Sequence, residues 1–271
     1  MRTNSRRVHI VGRMSKLSGR VALVSGGGRG IGRGISELLA AEGAAVAVNY
    51  RRDRAAAEET VDAITQAGGV ARAYEASIDD AEADAAMVAS ITSDLGLVDL
   101  LVCNAGIASR GQSVADTDPA ELVRVLTTHA VGAHHLCRLV VPGMRTKPRG
   151  DVVMISSVAT SHYAGFGAPY YMGKAALEAL AYTLAKEERP HGIHVNIVAP
   201  GLVETDMGAR LTRALTGQRE LQDLRSLDAA SPFGHVCQPR DIAEVVVFLC
   251  TDGAGYVTGQ RIEVDGGGTR A

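Results

Sequence analysis

The chain has 271 residues, a formal net charge of −2 and 46% hydrophobic residues. That is room for one large α/β domain with a buried core, or at most two small ones. The near-balanced charge, the lack of tryptophan and an aromatic content of 4% argue against a nucleic-acid surface, which needs a basic face and stacking rings. No apolar run approaches the ~20 residues of a membrane span.

The first sixteen residues carry Arg2, Arg6, Arg7, Arg13 and Lys16 and no acid. Such a stretch fits a transit peptide, a flexible extension, or a chain whose natural start is Met14; its apolar part is too short for a secretory signal. The expectation for 1–16 is a flexible extension or a start at Met14, with one domain over 17–271. Strand-like runs follow at 20–25, 44–50, 70–76, 98–104, 151–157, 193–200 and 260–266, several of them continuous and rich in valine. Strands covered on both faces by helices read this way. Helical segments alternate with them at about 30–42, 53–67, 79–95, 117–146, 169–190 and 239–251. Strand–helix alternation along a whole chain predicts an α/β fold, a doubly wound parallel sheet of about seven strands with helices on both faces. The polar, leucine-dotted stretch from Glu204 to Val236 breaks the rhythm. It follows a strand's C-terminal end, where such sheets bind ligands. It reads as a candidate lid at 204–236 or as a surface helical hairpin.

Cys103, Cys137, Cys237 and Cys250 form no C-x-x-C pair and no zinc-like spacing. They read as reduced thiols, mostly core, of a cytoplasmic protein. No carboxylate–histidine cluster points to a catalytic metal.

Between the first strand and first helix stands "SGGGRGIG", with Gly26, Gly30 and Gly32 spaced G-x-x-x-G-x-G. Glycine permits a tight turn with positive φ and a close backbone approach to a pyrophosphate. The helix start behind it adds free N–H groups and a positive dipole end. The tip of the second strand reads "VNYRRDR", with Asn49, Tyr50, Arg51 and Arg52. A carboxylate at this tip would bond the ribose 2′-hydroxyl of NAD; none is there. Arg29 and Arg51 are suited to a 2′-phosphate instead, so NADP(H) is preferred and NAD(H) remains open. The plainer reading makes Arg51, Arg52 and Arg54 a solvated helix start with Asp53.

Further along lie "CNAG" at 103–106, Ser157, "YYMGK" from Tyr170 to Lys174, "PGLVET" at 200–205 and "VDGG" near the end. With Ser25 and the glycine turn, these resemble the T-G-x-x-x-G-x-G, N-A-G, S…Y-x-x-x-K and P-G-x-x-x-T motifs of the short-chain dehydrogenase/reductase family. The resemblance covers the chain from about Leu17 onward and is nearest the 3-oxoacyl-acyl-carrier-protein reductase branch. It implies a Rossmann-like fold and a dinucleotide site. That site would be lined by Gly26, Arg29, Gly30, Ile31, Gly32, Asn49, Tyr50, Arg51, Ser77 and Ile78, then by Asn104, Ala105 and Gly106. At its inner end would stand Tyr170 and Lys174 with Pro200, Gly201, Val203 and Thr205.

Reduction of a carbonyl by hydride needs a proton at the oxygen. Tyrosine's ordinary pKa of ~10 suits neutral pH poorly, and a nearby ammonium lowers it. Tyr170 and Lys174 are four residues apart and share a helix face. The expected roles are Tyr170 as acid/base, Lys174 lowering its pKa and holding the ribose, and Ser157, closing the fifth strand, orienting the carbonyl. Ser156 should point the opposite way, and Tyr171 about 100° around the helix.

His129, in "HAVG", stands where many relatives of this kind carry an asparagine that holds a relay water. Three readings are open: the imidazole holds the same water, it titrates near neutrality, or it is inert. His162, Tyr163 and Phe166 either line the pocket or lie on the loop surface.

The expected function is NADPH-dependent reduction of a ketone, 3-oxoacyl or similar, whose substrate is a small molecule or carried on an acyl carrier. The alternatives are an NAD-linked dehydrogenase of a sugar, steroid or other secondary alcohol, and a catalytically silent dinucleotide-binding regulator. The resemblance also implies a homotetramer or homodimer, packed through the fourth and fifth helices and last strand.

Overall fold

A computed structural model of the chain describes residues 15–216 and 223–268. Seven strands form one parallel sheet in the order β3-β2-β1-β4-β5-β6-β7. They are β1 (Val21–Val24), β2 (Ala45–Tyr50), β3 (Val70–Glu75), β4 (Leu100–Cys103), β5 (Gly150–Ile155), β6 (Ile193–Pro200) and β7 (Arg261–Val264). The helices are α1 (Gly30–Ala41), α2 (Arg54–Gln66), α3 (Ala81–Asp94), α4 (Pro119–Leu126), α5 (Gly132–Met144), α6 (Ala168–Glu188), α7 (Asp206–Thr216) and α8 (Pro239–Leu249). Helices cover both faces, so β1, β4 and β5 are buried along their whole length. That is why they read as unbroken apolar runs rather than alternating ones.

The two faces carry two cores. One joins Val24, Val46 and Val102 to Ile35, Leu39 and Val246 of α1 and α8. The other joins Leu23, Leu101 and Val152 to Ile91, Leu136 and Leu177 of α3, α5 and α6. At the sheet's lower rim, Arg20 reaches Asp99 at 2.8 Å and Asp151 at 2.9 Å, tying the starts of β1, β4 and β5 together.

The order reverses at β1, whose neighbours are β2 and β4. Successive crossovers leave the sheet to opposite faces there, which opens a crevice beyond the strand ends. The glycine turn and "CNAG" both lie at that crevice.

Three details differ from expectation. The fifth strand ends at Ile155, and Ser157 instead caps a short 3₁₀ turn, Val158–Ser161, accepting from the Ala159 N–H at 3.2 Å. The single helix expected over 117–146 is α4 and α5 joined by a π turn, Thr127–Val131, which contains His129. The 204–236 stretch holds α7 and two 3₁₀ turns, Leu224–Ala230 and Pro232–Gly234; its residues 217–222 lie outside the described residues. Its described part is anchored: Arg225 and Gln238 donate to the Glu204 carboxylate at 3.1 and 2.7 Å. The extension expected over 1–16 lies, for residues 1–14, outside the described residues.

Candidate active site

The glycine turn is stitched to the end of β4. Ser25 Oγ accepts the Asn104 and Ala105 N–H groups, each at 3.0 Å, and donates to Val102 O. The Asn104 amide donates to Ser25 O at 2.9 Å and Gly26 O at 3.2 Å. Gly26 (φ 62°) and Gly30 (φ 53°) take the left-handed conformation that side chains resist. A Cβ on Gly32 would stand 2.2 Å from Gly26 O. No side chain caps the start of α1, so its first N–H groups stay available to an anion.

This turn floors a cleft of about 500 Å³ that Arg29, Gly30, Ile31 and Gly32 help to line. Tyr50, Arg51, Ser77 and Ile78 stand around it, as do Asn104, Ala105, Gly106 and Thr205. Asn49 borders it too, but its amide is spent on structure. Its Oδ1 accepts from Gly26 N at 3.2 Å and its Nδ2 donates to Ala76 O at 3.0 Å. The arginines have acidic neighbours: Arg29 lies 3.9 Å from Asp53 and Arg51 3.8 Å from Asp79, all four partly exposed to solvent. Such pairs contribute little to stability and leave the guanidinium groups able to take another partner. Arg54 instead pairs along its own helix with Glu58 at 2.7 Å.

Of the residues expected at the dinucleotide, Tyr170, Lys174, Pro200, Gly201 and Val203 sit apart from the cleft lining. Pro200 ends β6, and Gly201 packs so tightly that a Cβ would meet Asp265 Cβ at 2.8 Å. Val203 is buried in the core beside β1 and pairs as an isolated bridge with Cys237. Only the backbones of these last three could take part in binding. Conversely, the cleft is lined by Thr128, Met207 and Arg210, which sequence reasoning missed. A helix directly after "PGLVET" was the available signal for the last two.

Tyr170 and Lys174 lie on α6, and Ser157 faces them from the turn after β5. Ser157 stands close enough to Tyr170 to lower its phenol pKa. Lys174 is buried and donates to Ile155 O at 2.7 Å. A Cβ on Gly106 would stand 3.5 Å from its Nζ, so the cleft wall rests against the ammonium. Burial drives the Lys174 pKa down to about 8, with Glu178 and Cys103 opposing. Burial also raises the Tyr170 phenol; Ser157 pulls it back and Tyr171 adds to the rise. The expected lowering of Tyr170 by Lys174 is thus not seen. The ammonium lies 5.9 Å from the ring centroid and is turned to a carbonyl, so desolvation outweighs it. The Ser156 hydroxyl donates to Glu178, also on α6.

His129 is buried, and its Nε2 lies 3.0 Å from Ile107 N and 2.9 Å from Ile107 O. Burial first, then Lys174, push its pKa down to about 3. That shift argues against titration near neutrality as its role. Its ring meets Tyr170 edge-on, with centroids 5.3 Å apart.

A polar brace stands behind Ser157. Arg261 of β7 donates to Ser157 O at 3.1 Å, to Thr160 Oγ1 at 2.9 Å and to Glu178 at 3.0 Å. Glu178 also accepts from Thr160. Among the described residues no helix is long and apolar enough to cross a membrane, and no three His, Cys, Asp or Glu side chains are grouped to hold a metal. Cys103, Cys137 and Cys250 are buried thiols and Cys237 is half-buried.

Comparison with known proteins agrees with this geometry. A family described as enoyl-(acyl carrier protein) reductase matches residues 26–269. The chain is 38% identical to the short-chain reductase protein NovJ of Streptomyces niveus, over 91% of this chain and 93% of that one. It is 37% identical to a 3-oxoacyl-[acyl-carrier-protein] reductase of Staphylococcus aureus, over 91% and 96%. The crystal structure of levodione reductase superposes with a TM-score of 0.87 at 27% identity, covering 94% of this chain and 99% of that one.

Proposed function

The chain belongs to the short-chain dehydrogenase/reductase family, NAD(P)-dependent oxidoreductases of carbonyl and hydroxyl groups, and from that premise we propose that it reduces a ketone to a secondary alcohol with NADPH. The observation that carries this reading is that Tyr170 and Lys174 share one face of α6, the ammonium 5.9 Å from the ring centroid, with Ser157 close enough to lower the phenol pKa. The ketone is a 3-oxoacyl compound or similar, free or carrier-bound, as the name of the S. aureus relative suggests.

The residues fit a dinucleotide. A Cβ on Gly26 would come within 3.3 Å of Ala105 and Asn104, and one on Gly30 within 3.2 Å of Thr205, so the turn keeps backbone where a pyrophosphate would lie. The uncapped start of α1 supplies donors for it. Arg29 and Arg51 would take the 2′-phosphate, and Asn104 to Gly106 would flank the ring end. When bound, the reduced nicotinamide supplies hydride to the carbonyl carbon.

Ser157 Oγ donates to the carbonyl oxygen and fixes it beside Tyr170. As negative charge develops on that oxygen, Tyr170 gives it the phenolic proton. The raised phenol pKa keeps that proton on Tyr170 until it is needed, which suits the reducing direction. Lys174, mostly protonated at neutral pH, holds the ribose and offsets the phenolate that remains. His129 stays neutral and braces Ile107 behind Gly106. The described part of the 204–236 stretch, which follows β6, would cover the substrate side of the cleft. We place the enzyme in the cytoplasm as a homotetramer or homodimer, without nucleic-acid or membrane partners.

One observation favours the NAD-linked alternative: Asp53 and Asp79 also line the cleft near the arginines. Initial rates with NADPH and NADH over a ketone panel test both readings. Ketone-dependent NADPH oxidation, lost in Tyr170→Phe, is expected. Tight dinucleotide binding with no turnover of any ketone would instead favour the silent regulator.

A further inference from the structure

The chain is poor in aromatic residues, with three phenylalanines, seven tyrosines and no tryptophan. Their placement beside the reacting hydroxyl is uneven. Four rings run outward in edge-to-face contact. His129 meets Tyr170 at 5.3 Å between centroids, Tyr170 meets Tyr171 at 6.2 Å, and Tyr171 meets Tyr163 at 6.1 Å. The first ring is buried and the last is 60% exposed. The series is therefore a wall running from Tyr170 to solvent.

The backbone beneath the outer end is strained. Among the described residues three non-glycine residues have left-handed φ: Tyr163 at 47°, Phe166 at 63° and Phe233 at 57°. L-residues resist this region, bulky ones most, and such strain concentrates at binding sites. All three are exposed aromatics, at 60, 68 and 86%. Tyr163 and Phe166 follow β5 in the loop that leads from Ser157 to Tyr170. Phe233 follows β6 and would touch a Cβ on Gly266, just past β7, at 3.6 Å. Folding alone gives no reason to hold large apolar rings in solvent on unfavourable backbone.

We infer that the ketone taken here is joined to a planar aromatic ring, which packs against the Tyr163–Tyr171 wall while its carbonyl oxygen meets Ser157 and Tyr170. This rests on the ketoreductase reading and narrows it. A flat ring can continue the edge-to-face series with Tyr163, whereas a flexible alkyl chain gains only area there. An aromatic pair is worth a few-fold in affinity beyond burial, about three- to tenfold.

The test compares ethyl benzoylacetate with ethyl 3-oxononanoate, which carries a hexyl chain in place of the phenyl ring. In Tyr163→Leu, which keeps apolar area but loses the ring, the phenyl-to-hexyl ratio of kcat/KM should fall about fivefold. Tyr163→Phe should keep it. An unchanged ratio in Tyr163→Leu, with turnover intact, would overturn the inference and leave the ketoreductase reading standing. Ligand-detected NMR with ethyl benzoylacetate supplies a readout free of turnover. Binding lost in Tyr163→Leu but kept in Tyr163→Phe supports the inference even in a chain that reduces no ketone, and equal binding by all three proteins overturns it.

Discussion

His129 grips the backbone of Ile107 through a single ring nitrogen, which lies 3.0 Å from that residue's N and 2.9 Å from its O. One nitrogen cannot accept from the N–H and donate to the carbonyl at once, so the imidazole does one or the other. Its Nδ1 has no hydrogen-bond partner. An asparagine amide could serve both backbone groups together. His129→Asn should therefore keep kcat within about threefold and leave the pH profile unchanged. A break between pH 6 and 7 in the parent that vanishes in the variant would show that His129 titrates after all.

Tyr170→Phe should lower kcat by roughly 10²–10⁴-fold, the usual worth of a positioned proton donor, while dinucleotide affinity measured by fluorescence titration stays within about twofold. Tyr171→Phe keeps the ring that packs against Tyr163 and Tyr170, and should retain most activity. Equal losses in both variants would mean that the doublet acts by packing rather than by proton transfer.

Arg29→Ala and Arg51→Ala should each raise the KM for NADPH about tenfold or more, in line with the ~1.5–3 kcal/mol of a charge-assisted contact. The KM for NADH should hardly move. A parallel rise for both cofactors would place these arginines on the shared pyrophosphate instead.

Glu178 stands one helical turn beyond Lys174 and raises its pKa against the effect of burial. Glu178→Gln should therefore move the Lys174 ionisation further below about 8. The alkaline limb of kcat should shift to lower pH with it. Arg261→Gln, which frees the Ser157 carbonyl and Thr160, should cost roughly tenfold or more in kcat through misplacement of the Ser157 hydroxyl, without shifting that limb.

Asp84 is buried with both carboxylate oxygens unpartnered, and His135 Nδ1 stands 3.7 Å away. Burial first, then Asp80 and Asp79, raise its pKa to about 7 from an ordinary 3.8. The folded chain thus holds this proton more tightly than the unfolded one, and stability falls as pH rises from about 4 through 7. The full span is worth at most about 4 kcal/mol. In thermal melts between pH 5 and 8, Asp84→Asn should flatten the decline of Tm with pH. A parent Tm that is level across that range would contradict the shift.

Much of this protein was legible in the sequence because its signals are local. Valine-rich runs between amphipathic segments dictate a covered parallel sheet. The glycines at 26, 30 and 32 mark a turn that side chains cannot enter, and four-residue spacing puts Tyr170 and Lys174 on one face. The strand and helix positions followed to within a few residues at each end.

What tertiary structure alone decided are the balances between burial and charge. A lysine four residues from a tyrosine should lower its pKa. The fold buries both and turns the ammonium to Ile155 O, so desolvation wins and the phenol rises. A histidine should titrate near neutrality, but a π turn seals His129 beneath Gly106 and Gly173 and holds it neutral. Asn49, expected at the dinucleotide and bordering the cleft, is also a brace, because the register of β1, β2 and β3 brings three backbone groups to its amide. The Arg261 brace on Ser157 spans 104 residues. No local pattern announces it, since only sheet order places β7 near the turn after β5.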